Sequence, residues 1–204
     1  MKVLPCGDRA FLIELANVDE VLRYHASLQA ADIDGITDLV PAARTIFVQI
    51  DPDRADLRQV VGAVQVMDLA PVPTPEETQV VDIPTRYDGP DLSGLSDLLG
   101  LTPNDLVRRH TSQLWTVAFT GFAPGFAYLV GADAPFDVPR LEVPRLEVPA
   151  GAVALAGPFT GIYPRSSPGG WQVIGTTEVR MWDLERTPPA LLSAGDHVRF
   201  VEVS

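Results

Sequence analysis

Lysine is almost missing from this chain of 204 residues: Lys2 is the only one, against fourteen arginines. A Walker A loop, a Schiff base and a biotinylated side chain all need a lysine, so none of them belongs to the body of the chain. Cysteine is as scarce. Cys6 stands alone, which excludes an intramolecular disulfide and a multi-thiolate metal centre. The histidines His25, His110 and His197 are far apart, without His-x-x-His spacing, so no metal is expected. Positive charge is short too, with a formal net charge of −12. Nucleic acid and anionic membrane both require a positive footprint and are excluded as partners. No apolar run is long enough to cross a bilayer. Charged and polar residues in Met1–Asp8 arrive before a signal-peptide core forms, so a cytoplasmic location is expected.

Hydrophobic residues make up 46% of the chain, enough for a real core. Turn-forming residues are plentiful and crowd between Thr120 and Trp171. The run reads Thr120-Gly-Phe-Ala-Pro-Gly-Phe-Ala-Tyr-Leu129, then two copies of Val-Pro-Arg-Leu-Glu from Val138, then Gly161-Ile-Tyr-Pro-Arg-Ser-Ser-Pro-Gly-Gly-Trp171. So many special backbone positions fix loop shapes, and loops on a rigid scaffold are where function concentrates.

The fold class read from the pattern is α+β, in two domains. Residues 1–75 form a small α/β domain of order ββαββα, with strands at Lys2–Pro5, Ala10–Leu15, Ile36–Pro41 and Arg44–Ile50. Its helices are expected at Asp19–Ala30 and Asp53–Met67. Pro71-Val-Pro-Thr-Pro75 is the boundary. Residues 76–204 begin with a strand at Gln79–Pro84 and short helices at Asp91–Leu99 and Pro103–Thr111. From there the signal is all β, with strands at Leu114–Phe119, Ala152–Ala156, Trp171–Thr176, Val179–Trp182 and His197–Val203. That pattern reads as a barrel or sandwich. Proline every five residues makes the Val138–Glu147 repeat an irregular extended edge.

Several residues could carry chemistry. His110, at a helix end, is a general acid–base or anion-binding candidate, or a histidine favoured there by the helix dipole. Arg140 and Arg145 offer guanidinium forks for carboxylate or phosphate, or pair with Glu142 and Glu147. The turns contribute Thr120, Gly121, Phe122, Gly125 and Phe126, and then Ser167, Gly169, Gly170 and Trp171. Their backbone N–H groups could hold an oxyanion, or the turns are tight barrel corners with aromatic rings filling a core. Tyr163 either presents its hydroxyl to a pocket or closes a barrel end. No Gly-x-Ser-x-Gly elbow surrounds Ser167. Asp91 reads as a helix N-cap rather than an acid catalyst.

A wider set of motifs occurs in a fixed order: Tyr87-Asp-Gly-Pro-Asp-Leu92, His110, Gly121-Phe-Ala-Pro-Gly-Phe126, Pro139-Arg140, Pro144-Arg145, Val148-Pro-Ala-Gly151, Gly161-Ile-Tyr-Pro164, Ser167-Pro-Gly-Gly-Trp171, Ile174-Gly175-Thr176 and Gly195-Asp196. On these the chain resembles the KipI/PxpB family, also called allophanate hydrolase subunit 1 or the C/D part of the carboxyltransferase domain, over nearly its whole length. The resemblance implies a C-terminal cyclophilin-like β-barrel. It implies a KipA/PxpC-type partner and a PxpA (LamB/YcsF)-type partner, which together with such a chain form an ATP-dependent 5-oxoprolinase opening 5-oxo-L-proline to L-glutamate. ATP with Mg would be bound mainly by a partner, with no cofactor in this chain and no activity alone. Arg140 and Arg145 would then face an acyl phosphate or a substrate carboxylate. One branch of the family instead inhibits a sensor histidine kinase, and related modules in urea amidolyase transfer a carboxyl group to urea. Peptidyl-prolyl isomerase activity rests on fold analogy alone. The chain departs from the family at Ala152, usually serine, and at Phe159, usually glutamine.

Overall fold

The computed structural model describes residues 1–69, 80–131 and 136–204. The chain divides into two compact units, Met1–Glu77 and Thr78–Ser204. The proline-rich stretch 71–75 and Gln79 lie outside the described residues.

In the first unit, strands β1 (Lys2–Pro5), β2 (Ala10–Glu14), β3 (Ile36–Pro41) and β4 (Thr45–Ile50) form an antiparallel sheet of order β1-β2-β4-β3. Helices α1 (Val18–Ala31) and α2 (Leu57–Val66) bury Val21, Leu28, Val60 and Val64 against Phe11, Ile13, Ile46 and Val48. Asn17 starts α1: its side chain accepts the Glu20 N–H, and Glu20 in return accepts the Ala16 N–H. The second helix is shorter than its apolar pattern predicts. Asp51 takes the N–H groups of Arg54 and Ala55 into a turn, and Asp56 caps Arg58 and Gln59, so the helix begins at Leu57.

The second unit contains β5 (Val80–Thr85), α3 (Leu92–Leu98), α4 (Pro103–Thr111), β6 (Trp115–Thr120), β7 (Ala127–Gly131), β8 (Arg145–Val148), β9 (Ala152–Ala156), β10 (Phe159–Ile162), β11 (Ser167–Gly169), β12 (Gln172–Thr176) and β13 (His197–Glu202). Seven of these strands make one sheet of order β12-β9-β10-β7-β6-β13-β5. Its two ends meet. Arg86, just past β5, exchanges N–H···O bonds with Thr176 at the end of β12, 2.8 Å each way, and the Gly89 N–H reaches the Ile174 carbonyl at 3.2 Å. The architecture is therefore α+β, an α/β unit followed by a nearly closed barrel.

Each barrel strand sends an apolar residue inward: Ile83, Val117, Leu129, Leu155, Ile162, Ile174 and Phe200. Leu95 of α3 and Leu106 of α4 pack into the same core. Strand β9 is buried on both faces. Val153 and Leu155 point into the barrel, whereas Ala152, Ala154 and Ala156 lie under a second cluster on the outside.

Two strand expectations change. Residues 177–181 form no strand; only Trp182 bridges, to Ala190. The facing segment carries Pro188 and Pro189, which have no N–H with which to extend a ladder. The Val-Pro-Arg-Leu-Glu copies are not equivalent either. Val138 is 1% exposed and bridges Gly157, whereas Val143 is 80% exposed, and only the second copy enters a strand, β8, paired with β11.

Candidate functional site

His110 lies inside the barrel with no exposed surface. Its Nδ1 is 2.7 Å from the Tyr87 hydroxyl and its Nε2 is 2.9 Å from Thr160 Oγ1. The rings of Trp115 and Phe200 lie 4.9 and 4.4 Å away. Burial in this apolar surround disfavours the imidazolium and lowers its pKa to about 3. In this geometry the ring is neutral near pH 7 and touches core groups rather than solvent. His25 and His197 are buried as well, His25 at 6% exposure and His197 with Nδ1 3.1 Å from Thr116 Oγ1. Among the described residues no group of His, Cys, Asp or Glu could hold a metal ion.

Arg145 is committed to Asp91 rather than to Glu142 or Glu147. Its guanidinium donates through Nη1 and Nη2 at 2.8 and 2.6 Å to the two carboxylate oxygens of Asp91. Asp91 also accepts the Val173 N–H at 2.6 Å. Asp91 occupies the N-cap position of α3, as expected, but its side chain makes no capping hydrogen bond; it ties α3, β8 and β12 together instead. The remaining acid of that repeat, Glu147, accepts from Ser166 Oγ at 2.8 Å.

The outer cluster carries the site's shape. Phe126, Tyr163 and Trp171 are nearly buried, and their rings meet edge to face at about 5.4 Å. Tyr128 is half-buried beside them, 5.0 Å from Phe126 and 5.5 Å from Trp171. The alternation of β7 predicts this placement, since Ala127 and Leu129 face the barrel core and Tyr128 must face out. Phe119 and Phe159 flank Tyr128. Gly169 lets Tyr163 lie close: a Cβ there would stand 2.2 Å from the tyrosine hydroxyl. Both departures from the family pattern, Ala152 and Phe159, fall in this cluster and leave it apolar.

Arg140 stands at the edge of these rings. The Leu141 N–H donates to the Gly170 carbonyl at 2.8 Å, and Gln172 Nε2 donates to the Pro139 carbonyl at 3.2 Å. The backbone on both sides of Arg140 is therefore pinned next to Trp171. Its positive charge acts on Tyr128 and Tyr163, opposing the rise in their pKa values that burial causes. Arg140 is exposed and joins no ion pair among the described residues.

The two turns are less open than oxyanion nests. Gly121, Ala123 and Phe126 spend their N–H groups within the first turn, and Ser167 and Gly169 pair with β8. Phe122 is the exception in that turn: it has φ +68°, is 61% exposed, and its ring lies 5.3 Å from Phe126 and 6.3 Å from Tyr163. Thr120 and Gly121 are exposed beside it. A cavity of about 300 Å³ lined by Pro124, Pro164, Arg165 and Trp182 adjoins the same turn. The structure brings Phe122, Phe126, Tyr163, Gly169, Trp171 and Arg140 to one face, with Arg145 behind it. His110 lies elsewhere, inside the barrel. Sequence reasoning misses Tyr128 and Trp182 as site candidates; strand parity signals the first, and nothing in the pattern signals the second.

The family described as carboxyltransferase domain, subdomain C and D, matches residues 1–192. Among curated proteins, the B subunit of 5-oxoprolinase from Bacillus subtilis (strain 168) is 43% identical over 129 residues, 62% of this chain and 54% of that protein. The chain spans about half the length of the curated relatives it matches. Among solved structures, TTHA0988 is similar with a TM-score of 0.79 and 35% identity over 96% of this chain and 40% of that one. The urea amidolyase of K. lactis shares the fold, with a TM-score of 0.74 at 17% identity over 99% of this chain and 15% of that one. Among the described residues no helix is long and apolar enough to cross a membrane.

Proposed function

Since the chain belongs to the carboxyltransferase domain, subdomain C and D family, we propose that it is one subunit of a multi-chain ATP-dependent 5-oxoprolinase. In this reading PxpA-type and KipA/PxpC-type partners complete the enzyme, which couples ATP hydrolysis to opening of the lactam of 5-oxo-L-proline, giving L-glutamate. The observation that carries it is a site that is only half furnished. The outer face offers rigid aromatic rings and an uncommitted guanidinium, Arg140. Among the described residues it assembles no complete catalytic set: His110 is sealed in the barrel, Ser167 meets only a carbonyl, 3.5 Å away, and Ser166, which donates to Glu147 at 2.8 Å, sits in an exposed pair with no histidine beside it. Such a face can bind and orient a ligand, while a partner supplies the phosphoryl chemistry together with ATP and Mg. The curated relatives, each named as the B subunit of 5-oxoprolinase, support the same reading.

The test is reconstitution. This chain, mixed with its two partner subunits, should form glutamate only when ATP and 5-oxo-L-proline are both present, and each subunit alone should form none. A folded three-subunit mixture that yields no glutamate overturns the proposal.

The fold shared with urea amidolyase favours a second reading, carboxyl transfer to or hydrolysis of a urea-type amide. The same mixture, supplied with urea or allophanate in place of the lactam, separates the two by which compound drives ADP release.

A further inference from the structure

Four observations converge on the outer face of the barrel. The first is charge. The chain carries a net charge of −12, so a small anion approaching it is repelled unless a local cation receives it. The arginines of the described ion pairs, Arg54, Arg86, Arg108, Arg145 and Arg199, are each neutralised by an aspartate. Arg140 is not, although Glu142 follows two residues later.

The second is preorganisation. The peptides on either side of Arg140 are held, one through the Pro139 carbonyl to Gln172 and the other through the Leu141 N–H to Gly170. A long side chain that starts from a fixed backbone loses less entropy when it binds than one on a free loop. The third is the floor. Phe126, Tyr163 and Trp171, nearly buried and packed on one another, make a rigid base under Tyr128, and Gly169 and Gly170 keep the neighbouring β11–β12 turn free of side chains. The fourth is Tyr128. Its ring is fixed between Phe119 and Phe159, it is half-buried rather than sealed, and it lies in the field of Arg140.

We propose that Arg140 and Tyr128, above the floor of Trp171, Phe126 and Tyr163, form a subsite for a small monocarboxylate bearing a flat, uncharged ring, with Arg140 taking the carboxylate. Arg140, which joins no ion pair among the described residues, matches one negative charge. A phosphate dianion would call for further cations, and Arg145, whose charge also acts on Tyr163, is already forked onto Asp91. The half-buried Tyr128 ring, held from beneath by the packed aromatics, would meet the ligand's ring, and its hydroxyl would donate to a carbonyl or carboxylate oxygen. The proposal deepens the function above and rests on it, because the lactam acid has this chemistry. Arg140 and Tyr128 would bind and orient it and would not perform the bond-breaking step.

The first experiment uses the full chain alone, followed by proton–nitrogen NMR at the tryptophan indoles. The probes are 5-oxo-L-proline, its neutral amide and inorganic phosphate. The Trp171 signal should move with the acid while Trp115, inside the barrel, stays fixed and reports that the fold is intact. The amide should bind about tenfold or more weakly, as expected for loss of a charge-assisted contact. Arg140→Gln should weaken the acid by a similar factor, Arg140→Lys by less, and Tyr128→Phe severalfold. In the reconstituted complex, Arg140→Gln should raise KM for the lactam acid about tenfold with kcat little changed. Equal binding of acid and amide, an Arg140→Gln chain that binds and turns over like the wild type, or a wild-type chain that binds none of the probes would overturn the subsite. Phosphate binding more tightly than the acid would overturn the monocarboxylate assignment in favour of phosphate. If the wild-type mixture is inactive, the functional reading fails while the NMR titration still decides the subsite.

Discussion

Arg145 and Asp91, 54 residues apart, form a two-bond ion pair in which both carboxylate oxygens are occupied, and the same carboxylate also takes the Val173 N–H. The side chains are 31% and 11% exposed, so the pair is neither fully screened by solvent nor deeply buried. Removing either partner should cost about 1–3 kcal/mol, between the values for surface and buried pairs. Asp91→Ala should cost more than Arg145→Ala, because it also strands the Val173 N–H. The double variant should lose less than the sum of the two. Urea unfolding of the four proteins checks this; strictly additive losses would mean that the two side chains do not act together.

His110 makes stability depend on pH. Its folded pKa of about 3 lies below the ordinary 6.5 because burial disfavours its charged form. Between these values the unfolded chain binds a proton that the folded chain refuses, so stability rises with pH through this window and falls as acid is added. His25, also lowered by burial, acts in the same direction. From about pH 6.5 down to about 5, before most carboxylates titrate, His110 should contribute a slope approaching about 1.4 kcal/mol per pH unit. His110→Gln should flatten the curve of unfolding free energy against pH by about that much. An unchanged slope would place the folded pKa near its ordinary value.

Two glycines should respond to alanine in opposite ways. Gly89 lies at the seam where the barrel closes, and a Cβ there would stand 2.3 Å from the Ile174 carbonyl carbon and 2.4 Å from the Val173 oxygen. Backbone atoms held by the seam's hydrogen bonds cannot step aside, so Gly89→Ala should cost about 3 kcal/mol or more, or prevent folding. Gly62 lies within α2, and a methyl group added there would meet nothing within 4 Å. Gly62→Ala should raise stability by about 0.5–1 kcal/mol through helix propensity alone. Denaturation midpoints test both, and a neutral Gly89→Ala would show that the seam can open locally.

Legibility followed the range of the forces involved. The ends of β1, β3 and α4 can be read from local signals, such as Thr102 accepting the Asp105 N–H in front of Pro103. Strands β7, β8, β10 and β11 do not declare themselves, because the glycines and prolines in or beside them read as turns and only long-range pairing makes them strands, β7 with β10 in the barrel and β8 with β11 in a separate two-stranded sheet. The same limit applies to the site. Its aromatics and Arg140 stand out as residue types, yet the partner of Arg145 is a long-range choice that Glu142 and Glu147, nearer in sequence, conceal. His110 looks catalytic in sequence because burial, which silences it, depends on rings contributed by Trp115, Phe136 and Phe200.

Phe122 is where conformation and exposure are hardest to explain by stability. Only Phe122 and Asp32 among the described non-glycine residues have positive φ, and a bulky side chain in that region carries a backbone cost of order 1 kcal/mol or more. Its ring recovers little of this by burial, being 61% exposed. A strained, outward aromatic beside Tyr163 and the cavity under Trp182 fits a group that meets a ligand or partner chain. Phe122→Asn tolerates the left-handed conformation and removes the ring. It should change unfolding free energy by less than about 1 kcal/mol while lowering kcat/KM of the reconstituted complex about tenfold. A ring that serves packing alone would give the opposite pair of results: a lowered unfolding midpoint, with kcat/KM per folded molecule unchanged.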